Sequence, residues 1–202
     1  SNVLYSALSL FSRVLYQGNE IVGRTSGDSI ALQRYKTQVV RCLNHRDPSI
    51  RRRAMDVVSA LVDEKNVESL VPEVLDYVRL ADNEFRVDLV AKIYTAIQRF
   101  SPTLQWNFNM VHRLLIENGR YVSNDMITSF CRMISQHQEL QEHAVALLQG
   151  SILEESDNQS LMQVASYVIG EFMLNPNSDQ SSQNECLQTF NTMKKIVQMP
   201  QT

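Results

Sequence analysis

Apolar residues recur at three- and four-residue steps along most of the chain, which is the spacing of one face of an α-helix. The pattern is clearest where two such segments flank the polar corner at residues 44–49. In that corner, Asp47 is placed to accept from the free N–H groups of the second segment, and Pro48 suits a first helical position. The sequence therefore predicts two antiparallel helices joined by a tight, capped corner. The first carries Leu32, Tyr35, Val39, Val40 and Leu43 on its apolar face, and the second carries Ile50, Ala54, Val57, Val58, Leu61 and Val62.

The same periodicity predicts helices over nearly all of the remaining sequence. Polar stretches interrupt it at residues 18–29, 154–159 and 175–182, and these are predicted to be loops. No segment alternates with a two-residue period for long enough to predict a β-strand. The helices are expected at about 3–17, 30–44, 48–63, 66–80, 83–100, 102–118, 122–136, 140–153, 161–174 and 185–198.

These helices repeat as pairs. Aligning every second helix by its first residue expected to be buried gives repeat starts near Val3, Ile50, Phe85, Val122 and Met162. A period of this length is typical of HEAT- and armadillo-like repeats, in which each pair needs neighbours to cover its apolar sides. The sequence thus predicts an all-α superhelix of antiparallel helix pairs (an α-solenoid), with an irregular helical bundle as the alternative. Residues 1–202 are expected to form one domain, a piece of a longer solenoid.

Composition and charge limit the function classes. Hydrophobic residues make up 44% of the 202 positions, enough for a sizeable core, and the formal net charge of -3 does not favour nucleic acid. No apolar run approaches the roughly 18–20 residues of a membrane span. Cys42, Cys131 and Cys186 are far apart and outside any CxxC pattern, which predicts reduced thiols.

The sequence offers little for catalysis. It contains neither a glycine-rich phosphate loop of the GxxxxGK[ST] kind nor a GxSxG nucleophile motif. The four histidines do not stand at zinc-binding spacings, and His137 and His143 are interpreted as polar surface residues. We therefore predict a protein that is not an enzyme, with no cofactor and no metal.

The sharpest charge feature is the run Arg51, Arg52 and Arg53. It is a candidate anion site for a phosphoinositide, a phosphopeptide or a nucleic acid. The alternative is structural, because consecutive helical residues point about 100° apart and cannot form one patch. In that case one arginine is expected to pair with a carboxylate such as Asp56 or Asp88, and the others are solvated.

Specific residues also resemble a known family, the large adaptins, and within it the gamma class most closely. The resemblance covers about residues 2–174. Its blocks occur in order, at 2–8, 32–43, 47–55 (DPSIRRRAM), 59–62, 84–86, 106–115 (WNFNMVHRLL), 119–125 (GRYVSND) and 161–172 (LMQVASYVIGEF). Two departures are the loop at 18–29, longer than is usual in the family, and a divergent tail after Leu174.

The resemblance implies a structural role in a large subunit of the heterotetrameric clathrin adaptor, in vesicle transport between the trans-Golgi network and endosomes. The implied partners are the small (sigma), medium (mu) and beta-type large subunits, with membrane and clathrin engaged through other parts of the full chain. The implied location is cytoplasmic, peripheral on those membranes and on coated vesicles. The resemblance implies that the family's phosphoinositide, small-GTPase and dileucine-signal contacts lie mostly nearer the start of the trunk, so no ligand-binding residue is assigned to this chain.

Two alternatives remain open at the level of sequence. One is a related coat protein with the same architecture, such as an alpha- or epsilon-adaptin or a coatomer large chain. The other is a HEAT-type module that binds a nucleic acid or a phosphorylated peptide through Arg51–Arg53. The adaptor reading expects no nucleic acid, and a steep loss of binding with rising salt would distinguish the second alternative.

Overall fold

The structure is a computed structural model that describes residues 2–21, 35–79, 81–154 and 157–172. All regular structure in these ranges is helical. The helices are α1 (Asn2–Ile21), α2 (35–42), α3 (Pro48–Leu61), α4 (Val67–Val78), α5 (Asn83–Phe100), α6 (Leu104–Asn118), the 3₁₀ turn η1 (Gly119–Tyr121), α7 (Asn124–Gln136), α8 (Gln138–Glu154) and α9 (Gln159–Phe172).

The chain divides into two compact units, Ser1–Thr103 and Leu104–Thr202. In unit 1, α3 packs between α1 and α5, and α4 packs against α5. Its core is built from aliphatic side chains that are almost fully buried, such as Ile50, Val58, Leu75 and Ile97. Helices two apart in sequence therefore lie side by side, which is the packing of a HEAT-type solenoid.

Unit 2 repeats this arrangement. Helix α7 packs against α9, α6 packs against α8, and the antiparallel pairs α7–α8 and α8–α9 are also in contact. Phe108 and Phe130 stack in its core with ring centroids 5.3 Å apart, and Leu148 and Val164 are fully buried. The predicted all-α α-solenoid is confirmed. That residues 1–202 act as one domain stays a prediction.

The corner before α3 has the predicted capping. The Asp47 carboxylate accepts from the Ser49 N–H at 2.9 Å, and Pro48 is the first residue of the helix. Such a cap stabilises a helix by about 1 kcal/mol, because it satisfies an N–H group that has no partner within the helix. Ile50 and Ala54 are both 0% exposed, so the predicted inward face of α3 is the observed one.

Three details differ from the sequence interpretation. Helix α1 continues through Gly18 to Ile21. A single glycine costs a helix only about 1 kcal/mol, and none of the residues at 19–21 is a proline that would end it. The start of the predicted 18–29 loop was therefore wrong. Val3 is 85% exposed and Tyr35 is 47% exposed, although both were assigned to buried faces. Residues 22–29, the 175–182 loop and the 185–198 helix lie outside the described residues.

Candidate functional site

Arg51 connects two helical corners of unit 1. It lies in the first turn of α3, where its guanidinium forms an ion pair with Asp82 at the start of α5. Its Nη1 also donates to the carbonyl oxygens of His45 at 2.9 Å and Arg46 at 3.3 Å, in the corner before α3. One side chain therefore holds the α2–α3 corner against the α4–α5 corner.

Arg86 occupies the corresponding place in the next helix pair. Its Nη2 donates to the carbonyl oxygens of Arg79 and Ala81, both at 2.9 Å, in the corner before α5. The last carbonyl groups of a helix have no partner within the helix and carry partial negative charge, so a guanidinium is a favourable donor to them. The recurring pairs Ile50-Arg51 and Phe85-Arg86 thus place the same corner bond in successive repeats.

Arg53 belongs to a second cluster, on the surface shared by α1, α3 and α5. Its Nε and Nη2 lie 3.3 Å from the Tyr5 hydroxyl, and its guanidinium sits 5.5 Å from the centre of the Tyr5 ring. Its Nη1 is 3.6 Å from the Asp56 carboxylate, which also binds Lys92 Nζ at 2.5 Å. Exposed pairs of this kind contribute about 0–1 kcal/mol each to stability.

The arginine run therefore does not form one patch. Arg51 and Arg53 are engaged with different neighbours, while Arg52 is exposed. Asp82, the partner of Arg51, is the N-cap residue of its helix, as Asp47 is of α3. That equivalent corner position is the sequence signal for its role. Whether Arg51, Arg52 and Arg53 together bind an anion stays a prediction.

Unit 2 holds a buried histidine on α6. His112 is 8% exposed, and its Nε2 lies 2.9 Å from the Ser151 hydroxyl of α8. Since the Ser151 hydroxyl donates its one proton to the Leu147 carbonyl at 2.9 Å, it must accept from His112. The neutral imidazole therefore carries its proton on Nε2. Burial, with a smaller effect from His143, lowers the pKa of His112 to about 4.

His143 was wrongly interpreted as a polar surface residue. Its ring packs edge-on against Phe108 at 5.4 Å, and its Nε2 is inaccessible and has no hydrogen-bond partner. The stacked ring of His112 covers Phe108 as well, with centroids 6.0 Å apart. His112 is thus buried in this aromatic cluster of unit 2, and His143, which is half-buried, packs against the cluster from another helix.

Where α6 and α9 meet, the Asn158 side chain lies close against the backbone at Gly119. The Asn158 amide donates to the carbonyl oxygens of Leu115 at 2.7 Å and Ile116 at 3.3 Å, and the Ser160 hydroxyl donates to that of Gly119 at 2.7 Å. A Cβ on Gly119 would lie 2.7 Å from Asn158 Cγ and closer still to Oδ1. Next to it, Asn118 is 2% exposed, and neither polar atom of its side chain has a partner.

Within the described part of the chain, no group of three or more metal-ligating side chains is found. Cys42 and Cys131 are free thiols, and burial raises the pKa of both, which disfavours the reactive thiolate. Cys186 lies outside the described residues. None of the described helices is long and apolar enough to cross a bilayer.

Stacked helix pairs joined by corner arginines define the chain as a helical-repeat protein. Its family follows from comparison with known proteins: residues 1–199 match the model of the adaptin N-terminal region, and the chain belongs to that family.

Several similar proteins are named as subunits of AP-1 and AP-2 complexes. AP-1 complex subunit gamma-1 of Arabidopsis thaliana is 33% identical over 172 residues, which are 85% of this chain and 18% of the relative. AP-1 complex subunit gamma-1 of Mycosarcoma maydis is 36% identical over 145 residues, 72% of this chain and 17% of the relative. AP-2 complex subunit alpha-2 of Dictyostelium discoideum is 28% identical over 172 residues, 85% of this chain and 17% of the relative. The chain thus spans less than a fifth of the length of these proteins.

Proposed function

We propose that this chain is a segment of the trunk of a gamma-type large subunit in a clathrin adaptor complex, where it serves as a scaffold for the other subunits. The observation that carries the proposal is the similarity to AP-1 gamma subunits over 85% of the chain. The whole of residues 1–202 is proposed to act as one continuous run of helix pairs in that trunk.

The contacts of the described residues support a scaffold role. The guanidiniums of Arg51 and Arg86 bond to helix ends within unit 1, and the His112 imidazole is held inside unit 2 by Ser151. These groups are committed to holding helices together. They offer no arrangement of nucleophile, base or metal ligand of the kind that catalysis requires. For Arg51 and Arg53 we therefore propose structural ion pairing in preference to anion binding.

The proposed partners are a small, a medium and a beta-type large subunit. The proposed location is cytoplasmic, on the surface of trans-Golgi network and endosomal membranes, with membrane and clathrin contacts made by other parts of the full-length chain. The work of this segment is then to hold its helix pairs in a fixed arrangement and to pack against partner chains.

The test is to purify the tagged full-length protein from its own cells and to identify the chains that stay with it at about 0.5 M salt. At that concentration charges are screened beyond about 4 Å, so partners held only by exposed charges are washed away. Recovery of small, medium and beta-type adaptor chains of the AP-1 class is expected. Recovery of AP-2-type medium and small chains would reassign the chain to the alpha class, and a coatomer set or RNA would refute the adaptor proposal.

A further inference from the structure

Helix α1 leaves one apolar side exposed. Val3 is 85% exposed and Leu10 is 61% exposed, and Ala7 between them is exposed as well. We propose that these three side chains, the α1 stripe, are the docking face for a helix of the same polypeptide that lies outside residues 1–202, two helices before α1. The inference rests on the proposed trunk and holds for any adaptor class.

The α1 stripe lies on the side of the helix that faces away from α3. Its members are spaced by four and three residues, so at about 100° per residue they point within about 60° of one another. Tyr5 identifies the opposite side, because its hydroxyl accepts from Nε and Nη2 of Arg53 in α3, both at 3.3 Å. All three members of the stripe point about 140–160° away from Tyr5. One printed contact and the helix geometry thus place the stripe opposite the α1–α3 interface.

The packing of the other helices identifies the occupant. In unit 1, α3 lies between α1 and α5, and in unit 2, α7 packs against α9. Helices two apart in sequence are therefore side-by-side neighbours, as in other helical solenoids. Extending the α1–α3–α5 layer by one helix would place the helix two before α1 against the side of α1 opposite α3. The α1 stripe lies on that side.

The composition of α1 fits burial of the stripe against another helix. No residue in Asn2–Ser12 is charged, although the solvent-facing side of a helix ordinarily carries charged residues. Helix α3, which has a neighbour on both sides, exposes Arg52, and α5 exposes Asp88. A bilayer surface fits less well, because helices that lie on membranes carry lysine and arginine on the polar face, and α1 has neither before Arg13.

The size of the stripe favours a tethered occupant over a separate protein. Its seven-residue span rises about 10 Å along a helix about 10 Å wide, so it offers on the order of 100 Å². A stable complex of separate proteins buries about 800 Å² on each partner. A segment of the same polypeptide needs far less, because the connection keeps it at about millimolar effective concentration. The relatives are long enough to supply such a segment, since this chain spans less than a fifth of their length.

The test is a site-specific cross-link in the full-length protein. Leu10→Cys is coupled to benzophenone maleimide and irradiated, and the peptides joined to position 10 are identified by mass spectrometry. The expected peptide belongs to the same polypeptide and lies about 40 residues before α1, which is one repeat of a HEAT array. The cross-linked chain should keep the mass of one copy on a denaturing gel. The matched control is Glu64→Cys, exposed in the corner after α3, which should not give this cross-link.

Thiol reactivity gives a second readout on the same two variants. In the native full-length protein, N-ethylmaleimide should modify Leu10→Cys at least about tenfold more slowly than Glu64→Cys, because a covered side chain reacts only when the structure opens locally. Equal reactivity would overturn the proposal, and so would a cross-link from position 10 to another subunit, to a second copy or to lipid. Neither readout depends on which adaptor chains co-purify, so this inference and the proposed function fail separately.

Discussion

Acid should destabilise unit 2 through His112. In the folded chain the pKa of this histidine is lowered to about 4, while in the unfolded chain it stays near the ordinary value of 6.5. As pH falls below 6.5, the unfolded chain takes up a proton that the folded chain cannot accept. The stability contributed by the buried neutral ring is therefore complete above pH 6.5 and is lost progressively as pH falls to about 4.

The size of the effect follows from the shift. The two pKa values differ by two to three units, which corresponds to about 3 kcal/mol of stability over the whole range. Between pH 7 and pH 5 the expected loss from this one group is about 2 kcal/mol. Carboxylates add their own acid dependence, so the quantity to compare is the difference between the unaltered chain and a variant.

The suitable variant is His112→Gln, because glutamine has no charge to gain and its amide N–H can donate to Ser151 as the imidazole does. Urea unfolding at pH 7, 6 and 5, followed by the fluorescence of Trp106, reports on unit 2, since Trp106 is the one tryptophan in the chain and lies on α6. The variant should lose about 2 kcal/mol less than the unaltered chain between pH 7 and pH 5.

The control is His137→Gln, at the half-buried C-terminal cap of α7, which removes an imidazole from another helix of unit 2 and leaves His112 in place. Equal losses in the unaltered chain and in His112→Gln would refute the reasoning, because they would mean that the imidazole of His112 gains its proton as easily in the folded state as in the unfolded one.

Three further substitutions test the packing. Ala54→Arg should lower the free energy of unfolding by more than about 4 kcal/mol in a melting experiment, because it buries a charge in α3, whereas Val87→Arg, at a position 51% exposed, should lower it by under about 0.5 kcal/mol. Equal losses would mean that the assignment of α3 residues to the core is wrong. Gly119→Ala should lower the melting temperature, with a loss of about 2 kcal/mol of folding stability, because its Cβ would clash with the Asn158 side chain, whereas Gly150→Ala, whose Cβ meets open space within α8, should raise it. A stabilising Gly119→Ala would refute the close contact between Asn158 and Gly119. Asn118→Leu should stabilise unit 2 by about 1 kcal/mol, since it removes two unpaired buried polar atoms, and a loss would point to hydration of that amide.

The features of the fold that depend only on residues close together in the sequence were predictable. The capped start of α3 needs only Asp47 and Pro48, and the inward face around Ala54 follows from three- and four-residue spacing. Where burial depends on a second helix, the pattern was insufficient. Val3 has the spacing of a buried residue but is 85% exposed, because periodicity identifies an apolar face without showing whether anything covers it.

The candidate sites were less predictable because they join distant residues. Thirty-one positions separate Arg51 from Asp82, and only the repeat period relates the two corners. His112 and His143 come from different helices and both pack against Phe108, and nothing in the local sequence of either indicates that contact. Resemblance to the adaptins indicated the family correctly, while these contacts required the three-dimensional arrangement.

The corner arginines have a mechanical consequence for unit 1. At the edge of the α2–α3 and α4–α5 corners, successive repeats are fastened by a charged, multiply bonded side chain, Arg51. Near the start of α4, by contrast, α2 is joined to α4 by an exposed hydrogen bond from Lys36 Nζ to Ser69 Oγ at 3.0 Å. We therefore expect a change of curvature within unit 1 to open the edge that Lys36 and Ser69 join before the edge that Arg51 joins.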